Sequence, residues 1–317
     1  MRSLNQIYSR SSMARRYEAW FLRFGLADGS GAWWFRYLLT NLGRQGCSGI
    51  AGGAPAQVWA TWFPRDGQPE TYIQEFPLDA LTVDSRRADG ALSFALEIGP
   101  NRIDENSCHG AIEARGQKIG WDLHYRSHFG ITLSNKGWIG FSRTPHSDAV
   151  FSGEIRFGDR VFRGEPLGVG VQGHNCGFRH RHYWTWMHAS FPQPDGRLST
   201  LEALVYEMPF GLRFRKVIFW HKGHAHFFRK VRESCRVRDE MRWAFIATSS
   251  AGSLELDVDG GGVSLHRLPY VKTDCSGTFE VSNNSRATAR LRLKLRGVDE
   301  SEMATDGGAV LEMTGNY

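Results

Sequence analysis

The sequence GHNCGFRHRHYWTWMHASF, residues 173–191, decides how the rest of the chain is interpreted. From His180 onward, aromatic residues recur and no helix-forming run interrupts them, which predicts a β-strand. Side chains alternate between the two faces of a strand. One face of this strand therefore carries imidazole and indole rings, from His180, His182, Trp184, Trp186 and His188. The opposite face carries Arg181, Tyr183, Thr185, Met187 and Ala189.

A strand face made only of imidazole and indole rings suits neither a plain apolar core nor a solvated surface. Ligand sites combine an apolar wall with a few polar groups, so the pattern predicts that this strand lines a site. The preceding run Gly173-His174-Asn175-Cys176-Gly177 predicts a tight turn into the strand, because glycines bracket hydrogen-bonding side chains. An ordinary β core with buried indoles and hydrogen-bonded histidines stays open as the alternative.

The remainder of the chain is also strand-like. YEAWFLRF and AWWFRYLL flank the turn at Asp28-Gly29, a pattern typical of a β-hairpin. Short alternating runs with turns at about ten-residue spacing continue to the C-terminal region. We find no long amphipathic helix in the pattern. The predicted fold class is all-β.

A weak internal repeat divides the chain into halves. Trp20 and Trp186 each lie in a strand that ends near an Asp-Gly turn, at Asp28 and Asp195, and the two tryptophans are 166 residues apart. Eight to ten strands in each half are enough to close a barrel, which removes exposed edges. We therefore predict two tandem antiparallel β-barrels, at residues 17–165 and 166–317, after a disordered basic tail at residues 1–16.

Composition excludes several classes of function. The 317 residues are 41% hydrophobic and 23% charged, which is typical of a globular protein. The net charge of +6 is spread along the chain and no nucleic-acid-binding motif occurs, so no nucleic-acid partner is predicted. No apolar run reaches the roughly 18 residues of a membrane span. Five dispersed cysteines without Cys-x-x-Cys argue against a disulfide framework and predict a reducing, cytoplasmic location.

Known catalytic motifs are also missing from the sequence. It contains no Gly-x-Ser-x-Gly, Walker loop, Gly-x-Gly-x-x-Gly or His-Glu-x-x-His, so no cofactor is predicted. Two histidine groups offer imidazoles in numbers that zinc uses, namely His180, His182 and His188, and His221, His224 and His226. Arginines interleave the first group, and no carboxylate or cysteine is spaced to complete either. No metal site is predicted.

Several segments together resemble the double-lipocalin superfamily: YEAWFLRF with AWWFRYLL, VWATWF, GWDLHY, HSDAVFSGEI and QGHNCG with YWTWMHASF. This superfamily includes carotenoid hydratase, tocopherol cyclase, kievitone-hydratase-like proteins and related natural-product cyclases. The resemblance covers most of residues 17–317 and is clearest in His-Asn-x-Gly followed by Trp-x-Trp-x-His-x-x-Phe. Relatives commonly have tryptophan where this chain has Cys176.

The resemblance implies a fold and a chemistry. The fold is two lipocalin-like (calycin) barrels, with an apolar ligand held in one barrel or in the cleft between them. The chemistry is protonation, hydration or cyclisation of isoprenoid or polyketide substrates without a redox cofactor. Fold alone does not fix function, so the residues have to be weighed individually.

The candidate catalytic residues are His174, Asn175 and Asp122. His174 would supply the acid and Asn175 would orient it. Asp122 in GWDLHY is the alternative acid, because burial raises the pKa of a carboxyl; its neighbours on the same strand face, His124 and Arg126, leave a surface ion pair open. Glu202 and Glu207, near aromatic runs, are further carboxyl candidates. The predicted substrate-binding residues are Trp184, Trp186, Tyr183, His188 and Cys176.

Two functional hypotheses follow. The first is a cofactor-independent hydratase, isomerase or cyclase acting by acid–base chemistry on an apolar isoprenoid- or polyketide-like substrate. The second is a non-catalytic lipid or apolar-ligand binding protein with the same pocket. The predicted partner in both is an apolar small molecule (isoprenoid, polyketide or lipid); transient contact with a membrane surface and the oligomeric state are left open. An enzyme should hold a desolvated acid within about 3 Å of the space for substrate.

Overall fold

The computed structural model describes residues 3–86, 92–178, 183–208, 210, 212–296 and 300–315. Within these ranges the chain forms antiparallel β-strands joined by turns, with short 3-10 helices at Leu42–Arg44, Leu78–Ala80 and Gly137–Ile139. The all-β prediction is confirmed. None of the described helices has the length and apolar character needed to cross a bilayer.

The first sheet holds twelve strands. Their bounds are β1 Tyr17–Leu26, β2 Gly31–Thr40, β3 Ala56–Pro64, β4 Glu70–Phe76, β5 Leu81–Arg86, β6 Leu92–Ile98, β7 Asn101–Asp104, β8 Ser107–Ala114, β9 Gln117–Arg126, β10 Ile131–Asn135, β11 Gly140–Phe157 and β12 Arg160–Gly177. They are ordered β4-β3-β2-β1-β12-β11-β9-β8-β7-β6-β5, with β10 on β11. Tyr72 of β4 and Phe94 of β6, from near opposite ends of that order, share one core. The sheet therefore curls around its own interior.

The second sheet holds ten strands. Their bounds are β13 Trp184–Pro192, β14 Leu198–Glu207, β15 Arg213–His221, β16 His224–Phe228, β17 Lys230–Val237, β18 Arg242–Ser249, β19 Gly252–Asp259, β20 His266–Val271, β21 Thr278–Leu295 and β22 Ser301–Thr314. They are ordered β16-β15-β14-β13-β22-β21-β19-β18-β17, with β20 on β21. Phe228 of β16 and Trp243 of β18 pack in a common core, so this sheet also curls on itself.

The two sheets repeat one plan. β1 lies between β2 and β12, just as β13 lies between β14 and β22. Trp20 and Trp186, which define the sequence repeat, are therefore on equivalent strands. Their side chains nevertheless face differently: Trp20 packs inside the first sheet, and Trp186 packs between the sheets. Trp186 lies one residue further from its Asp-Gly turn, and a one-residue shift reverses the face of a strand.

Two details of the predicted organisation need correction. The predicted boundary at 165/166 falls inside β12, whose residues 168–177 pair with β1, so the first sheet extends to Gly177. The tail predicted to be disordered is ordered from residue 3. Its Tyr8 and Ser9 amides donate to Glu18, and the indole of Trp20 donates to the Asn5 carbonyl at 3.0 Å. These buried partners hold the tail against the first sheet.

The sheets pack face to face through a third apolar core, to which Phe21 and Trp34 contribute from one side and Trp186 and Leu204 from the other. A buried cation crosses the same interface. Arg23 of β1 donates to backbone carbonyls of the second sheet, including Gly307 at 2.9 Å and Ala309 at 2.8 Å. Burial, with the nearby Arg286 charge, lowers the pKa of Arg23 to about 9. Carbonyl dipoles thus solvate the guanidinium inside the protein.

The cysteine-based prediction was wrong for one pair. Cys47, in the connection from β2 to β3, and Cys275, in the turn from β20 to β21, form a disulfide across a sequence separation of 228 residues. Wide spacing along the chain hides this proximity, because the topology alone brings the two turns together. The prediction of a cytoplasmic location loses the support that it drew from the cysteine pattern.

Candidate active site

A cavity of about 870 Å³ lies between the two sheets. Both sheets contribute rings and aliphatic side chains to its wall, including Phe21 and Trp34 from the first and Trp186, Leu204 and Phe279 from the second. These five side chains belong to the apolar core between the sheets. The volume and lining are those of a small-molecule site.

The floor of the cavity is formed by Phe21 and Trp186, whose rings meet edge to face at 5.3 Å. A glycine on the neighbouring strand, Gly173 of β12, leaves the room that the Phe21 ring occupies. A Cβ at position 173 would lie 2.1 Å from the Phe21 ring, so only glycine lets the ring lie over β12. The predicted turn at residues 173–177 is therefore wrong: these residues are the end of β12, and Gly173 serves a close approach.

A polar layer lies beneath this floor. The Glu202 carboxyl accepts hydrogen bonds from the Trp186 indole at 2.9 Å and the Thr144 hydroxyl at 2.7 Å through Oε1. Its Oε2 is buried without a hydrogen-bond partner among the described residues. Burial raises the pKa of Glu202 to about 7 against the lowering effect of these hydrogen bonds. Glu202 is not itself in the cavity wall.

One buried carboxyl does lie in the cavity wall, on the last strand. Glu312 of β22 accepts a hydrogen bond from the Trp184 indole at 3.0 Å, and its second oxygen accepts one from Asn283 at 3.3 Å. Burial raises the pKa of Glu312, while these hydrogen bonds and the charge of Arg36 oppose the rise. The site therefore contains an oriented carboxyl whose pKa lies above its ordinary value.

A second buried ionisable group in the wall is Arg36 of β2. Its side chain is 5% exposed, and its guanidinium lies 5.0 Å from the Trp59 centroid and 4.2 Å from the Tyr270 centroid, two rings that are nearly perpendicular to each other. Trp59 belongs to the first sheet and Tyr270 to the second, so the cation bridges them. A buried acid and a buried cation therefore line the same cavity.

The open end of the cavity is more polar. Arg15, Lys136 and Lys272 contribute to the lining there, with Asp274 nearby. The hydroxyl groups of Tyr206 of β14 and Ser134 of β10 form a hydrogen bond of 3.0 Å. This bond links the two sheets beside the cavity.

Comparison with known proteins gives structural neighbours but no sequence matches. No family model matches the chain, and neither does any curated protein sequence. CghA, solved with Sch210972, aligns with a TM-score of 0.66 and 11% identity over 95% of this chain and 88% of CghA. Kievitone hydratase from Nectria haematococca aligns with a TM-score of 0.56 and 9% identity over 99% and 95%. The chain has the double-lipocalin fold. At these identities the double-lipocalin likeness concerns architecture, so the chemistry rests on this chain's own residues.

The two predicted catalytic residues that are adjacent in sequence, His174 and Asn175, point to opposite sides of β12. Asn175 lines the cavity, and its Oδ1 has no hydrogen-bond partner among the described residues. His174 points the other way, because adjacent strand residues face opposite sides. It is fully buried, with Nε2 2.8 Å from Glu18 and Nδ1 donating to the Leu4 carbonyl at 2.8 Å. His174 therefore ties down the N-terminal tail and does not form the polar end of the cavity.

The predicted alternative acid, Asp122, also lies elsewhere. Its side chain is 74% exposed on β9, and His124 on the same strand is its ion-pair partner at 3.9 Å. The surface ion pair that the sequence left open is what the structure shows. Asp122 is therefore not the desolvated acid that the prediction required.

Of the five predicted substrate-binding residues, three line the cavity and two do not. Trp184, Trp186 and Cys176 line the cavity. Burial raises the pKa of the Cys176 thiol to about 12, which makes it a wall group and not a nucleophile. Tyr183 and His188 are buried but lie outside the lining. The Tyr183 hydroxyl accepts from Arg236 at 2.9 Å, and His188 Nε2 donates to the Ser147 carbonyl at 2.7 Å, where burial lowers its pKa to about 3.

The histidine groups considered for metal can be placed only in part. His180 and His182 lie outside the described residues. His221 pairs with the Ser199 hydroxyl at 2.7 Å, and His224 is exposed at the start of β16. In the portion of the chain that the structure describes, no group of three histidine, cysteine or acidic residues is arranged to hold a metal ion.

Sequence reasoning missed Glu312, Arg36 and Tyr270. One signal was available for Glu312: it is the lone charged residue in the run GAVLEMTG, in the part of β22 where residues 309–311 and 313–314 are buried. Arg36 stands likewise in the aromatic run AWWFRYLL. A single charge within such a run points to a buried partner or to a site. Their convergence from β2, β20 and β22 required the tertiary structure.

Proposed function

We propose that this protein is a cofactor-independent enzyme that hydrates, isomerises or cyclises an apolar substrate held between the two sheets. One observation carries the proposal: a carboxyl that two hydrogen bonds orient, and whose pKa burial raises, lies in the wall of an aromatic cavity large enough for a ligand. An acid protected from bulk water is what protonation of a carbon–carbon double bond requires.

Glu312 acts as the acid in this proposal. Its O–H proton goes to one carbon of the double bond, whose π electrons form the new C–H bond and leave a cation on the other carbon. The rings of Trp184 and Tyr270 both belong to the cavity wall, and the face of an aromatic ring stabilises positive charge. The hydrogen bonds from Trp184 and Asn283 keep the carboxyl oriented before and after proton transfer.

The cation then has three outcomes, and each restores the acid. In hydration, a water oxygen bonds to the cationic carbon and a water proton returns to the Glu312 carboxylate. In isomerisation, an adjacent C–H loses its proton to the carboxylate and a double bond forms at a new position. In cyclisation, a second double bond of the substrate attacks first, and proton loss follows. All three need only the substrate, water and one carboxyl.

The substrate proposed is an isoprenoid, polyketide or lipid-like molecule. A cavity of about 870 Å³ with an aromatic floor can enclose most of such a molecule. The likeness in fold to a protein named as a hydratase is consistent with this chemistry. The alternative, a non-catalytic apolar-ligand binding protein, uses the same cavity with Glu312 as a wall group only.

The experiment starts from native mass spectrometry of the purified protein and identification of any co-purified compound, followed by turnover assays with that compound and its dehydrated or open-chain analogues. We expect Glu312→Gln to bind the compound and to lose turnover by about a hundredfold or more. Glu207→Gln is the matched control, since Glu207 is exposed at the end of β14. Unchanged turnover in Glu312→Gln would refute the acid, and ligand binding without turnover in wild type would favour the binding protein.

A further inference from the structure

The guanidinium of Arg36 is an unused cation inside the cavity. Arg36 is nine-tenths buried and lines the cavity wall. Among the described residues, no hydrogen bond and no ion pair within 4.0 Å engages it. Buried guanidinium groups ordinarily have acceptors, because removing a charge from water is costly. The interactions that the structure provides are two aromatic faces and the longer-range charge of Glu312.

The aromatic contacts of Arg36 leave its donors without an acceptor. The Arg36 guanidinium carbon lies 5.0 Å from the Trp59 centroid and 4.2 Å from the Tyr270 centroid, and these two rings are nearly perpendicular to each other. The five N–H groups of a guanidinium lie in its plane and point outward from its edges. Neither ring supplies an oxygen or nitrogen acceptor, so these contacts hold the guanidinium in place and leave its hydrogen-bond donors available to a ligand.

We infer that the ligand of this cavity carries a carboxylate, which Arg36 binds through paired N–H donors while the apolar body lies on the Phe21–Trp186 floor. Planar carboxylates match the guanidinium fork in a bidentate arrangement. The inference deepens the proposed function by naming a substrate class, an apolar carboxylic acid, and it rests on the same cavity. It does not depend on whether catalysis occurs there.

A carboxylate at Arg36 also has a consequence for Glu312. The charge of Arg36 is one of the causes that lower the Glu312 pKa against burial. A bound anion neutralises that charge, so the ligand itself promotes protonation of Glu312. Ligand recognition and the presence of the proton are then coupled within one wall of the site.

The test uses cis-parinaric acid and its methyl ester, two fluorescent probes with one apolar body that differ only in the charge of the head group. Dissociation constants are measured by fluorescence titration for wild type, Arg36→Met and Arg36→Lys. We expect wild type to prefer the acid, and Arg36→Met to weaken acid binding by about tenfold or more with little effect on the ester. Arg36→Lys keeps the charge but not the fork, so its loss should be smaller and it covers the case in which Arg36→Met does not fold.

Lys136→Met is the control for charge at the cavity mouth. A larger loss of acid binding in Lys136→Met than in the Arg36 variants would overturn the inference, because the anion would then be held at the rim. Equal losses for acid and ester in folded Arg36→Met would also overturn it. If wild type binds both probes equally and Arg36→Met changes neither, this inference fails while the proposed function stands. If wild type binds neither probe, the cavity does not take an apolar chain and both fail.

Discussion

Trp184 of β13 and Glu312 of β22 form a diagonal pair on adjacent strands, since Trp184 pairs with Thr314 and Glu312 pairs with Trp186. The indole N–H of Trp184 donates to Glu312 Oε1 at 3.0 Å. This contact fixes a carboxyl in the wall of the cavity between the sheets. The hydrogen bond favours the ionised form, whereas burial favours the protonated form, and burial has the larger effect on the pKa. The acidity of the site is therefore set by two residues whose strands pair directly.

Replacing Trp184 with phenylalanine should shift the pH dependence of turnover. Trp184→Phe removes a hydrogen bond that lowers the Glu312 pKa, so that pKa should rise further above its ordinary value. The alkaline limb of the pH–rate profile, where Glu312 loses its proton, should move upward by the same amount. Trp186→Phe is the matched control, because its indole donates to Glu202 instead. A limb that stays in place or moves downward would contradict the assignment.

His174 should prove structural. Its two ring nitrogens contact Leu4 and Glu18, which hold the N-terminal tail, and no part of it lines the cavity. His174→Gln should therefore expose residues 3–16 to limited proteolysis while turnover per folded molecule stays near that of wild type. Proteolysis followed by mass spectrometry locates the cleavage. Loss of turnover in a variant with an intact, protected tail would restore His174 as a catalytic candidate.

The contrast between His174 and Glu312 shows which features of the site could be predicted from the sequence and which could not. Strand periodicity is a local property, so it predicts the all-β class, the repeat and the strand that carries Trp184 and Trp186. It does not tell which face of a strand meets the second sheet. Asn175 and His174 are neighbours in sequence and belong to different environments, because β12 has the interior of the first sheet on one face and the cavity on the other.

Contacts between residues far apart in the sequence were the other feature that could not be predicted. Arg36 and Tyr270 come from different sheets and meet at 4.2 Å. Cys47 and Cys275 come together in the same way. No spacing rule links such residues, since the packing of one curled sheet on another determines which turns and strand faces adjoin. The family resemblance supplied the two-barrel architecture but not these pairs.

Stability should depend on pH through Glu202. Its pKa in the folded protein is about 7, raised from 4.5 by burial. The folded state then binds the proton more tightly than the unfolded state, so its contribution is fully present below pH 4.5 and declines as pH rises through 7. The loss amounts to about 3 kcal/mol. Glu202→Gln should lack this decline.

The measurement for Glu202 is the difference in unfolding free energy between Glu202→Gln and wild type from pH 4 to pH 8, at about one-unit steps. A difference is needed because His188, whose pKa burial lowers to about 3, titrates with the opposite sign in an overlapping range. Its contribution to stability is lost as pH falls below 6.5. A difference that does not change with pH would show that Glu202 ionises normally.

The disulfide should stabilise the packing of the two sheets. Cys47 and Cys275 are separated by 228 residues, and closing so long a loop in the unfolded chain is worth about 5 kcal/mol in the chain-entropy model. The double variant Cys47→Ser, Cys275→Ser should unfold at a correspondingly lower denaturant concentration. Cys235→Ser is the control, since Cys235 is a half-buried free thiol. Equal midpoints for wild type and the double variant would contradict the prediction.

The central claim is that Glu312 holds a proton inside the cavity when exposed carboxyls have lost theirs. Difference infrared spectroscopy of wild type against Glu312→Gln, at a pH about one unit above the usual pKa of glutamate, tests it directly, because Glu202 is common to both proteins and cancels. The account predicts a protonated-carboxyl C=O band in wild type that the variant lacks. A difference spectrum with only carboxylate bands would show Glu312 ionised and would contradict the account.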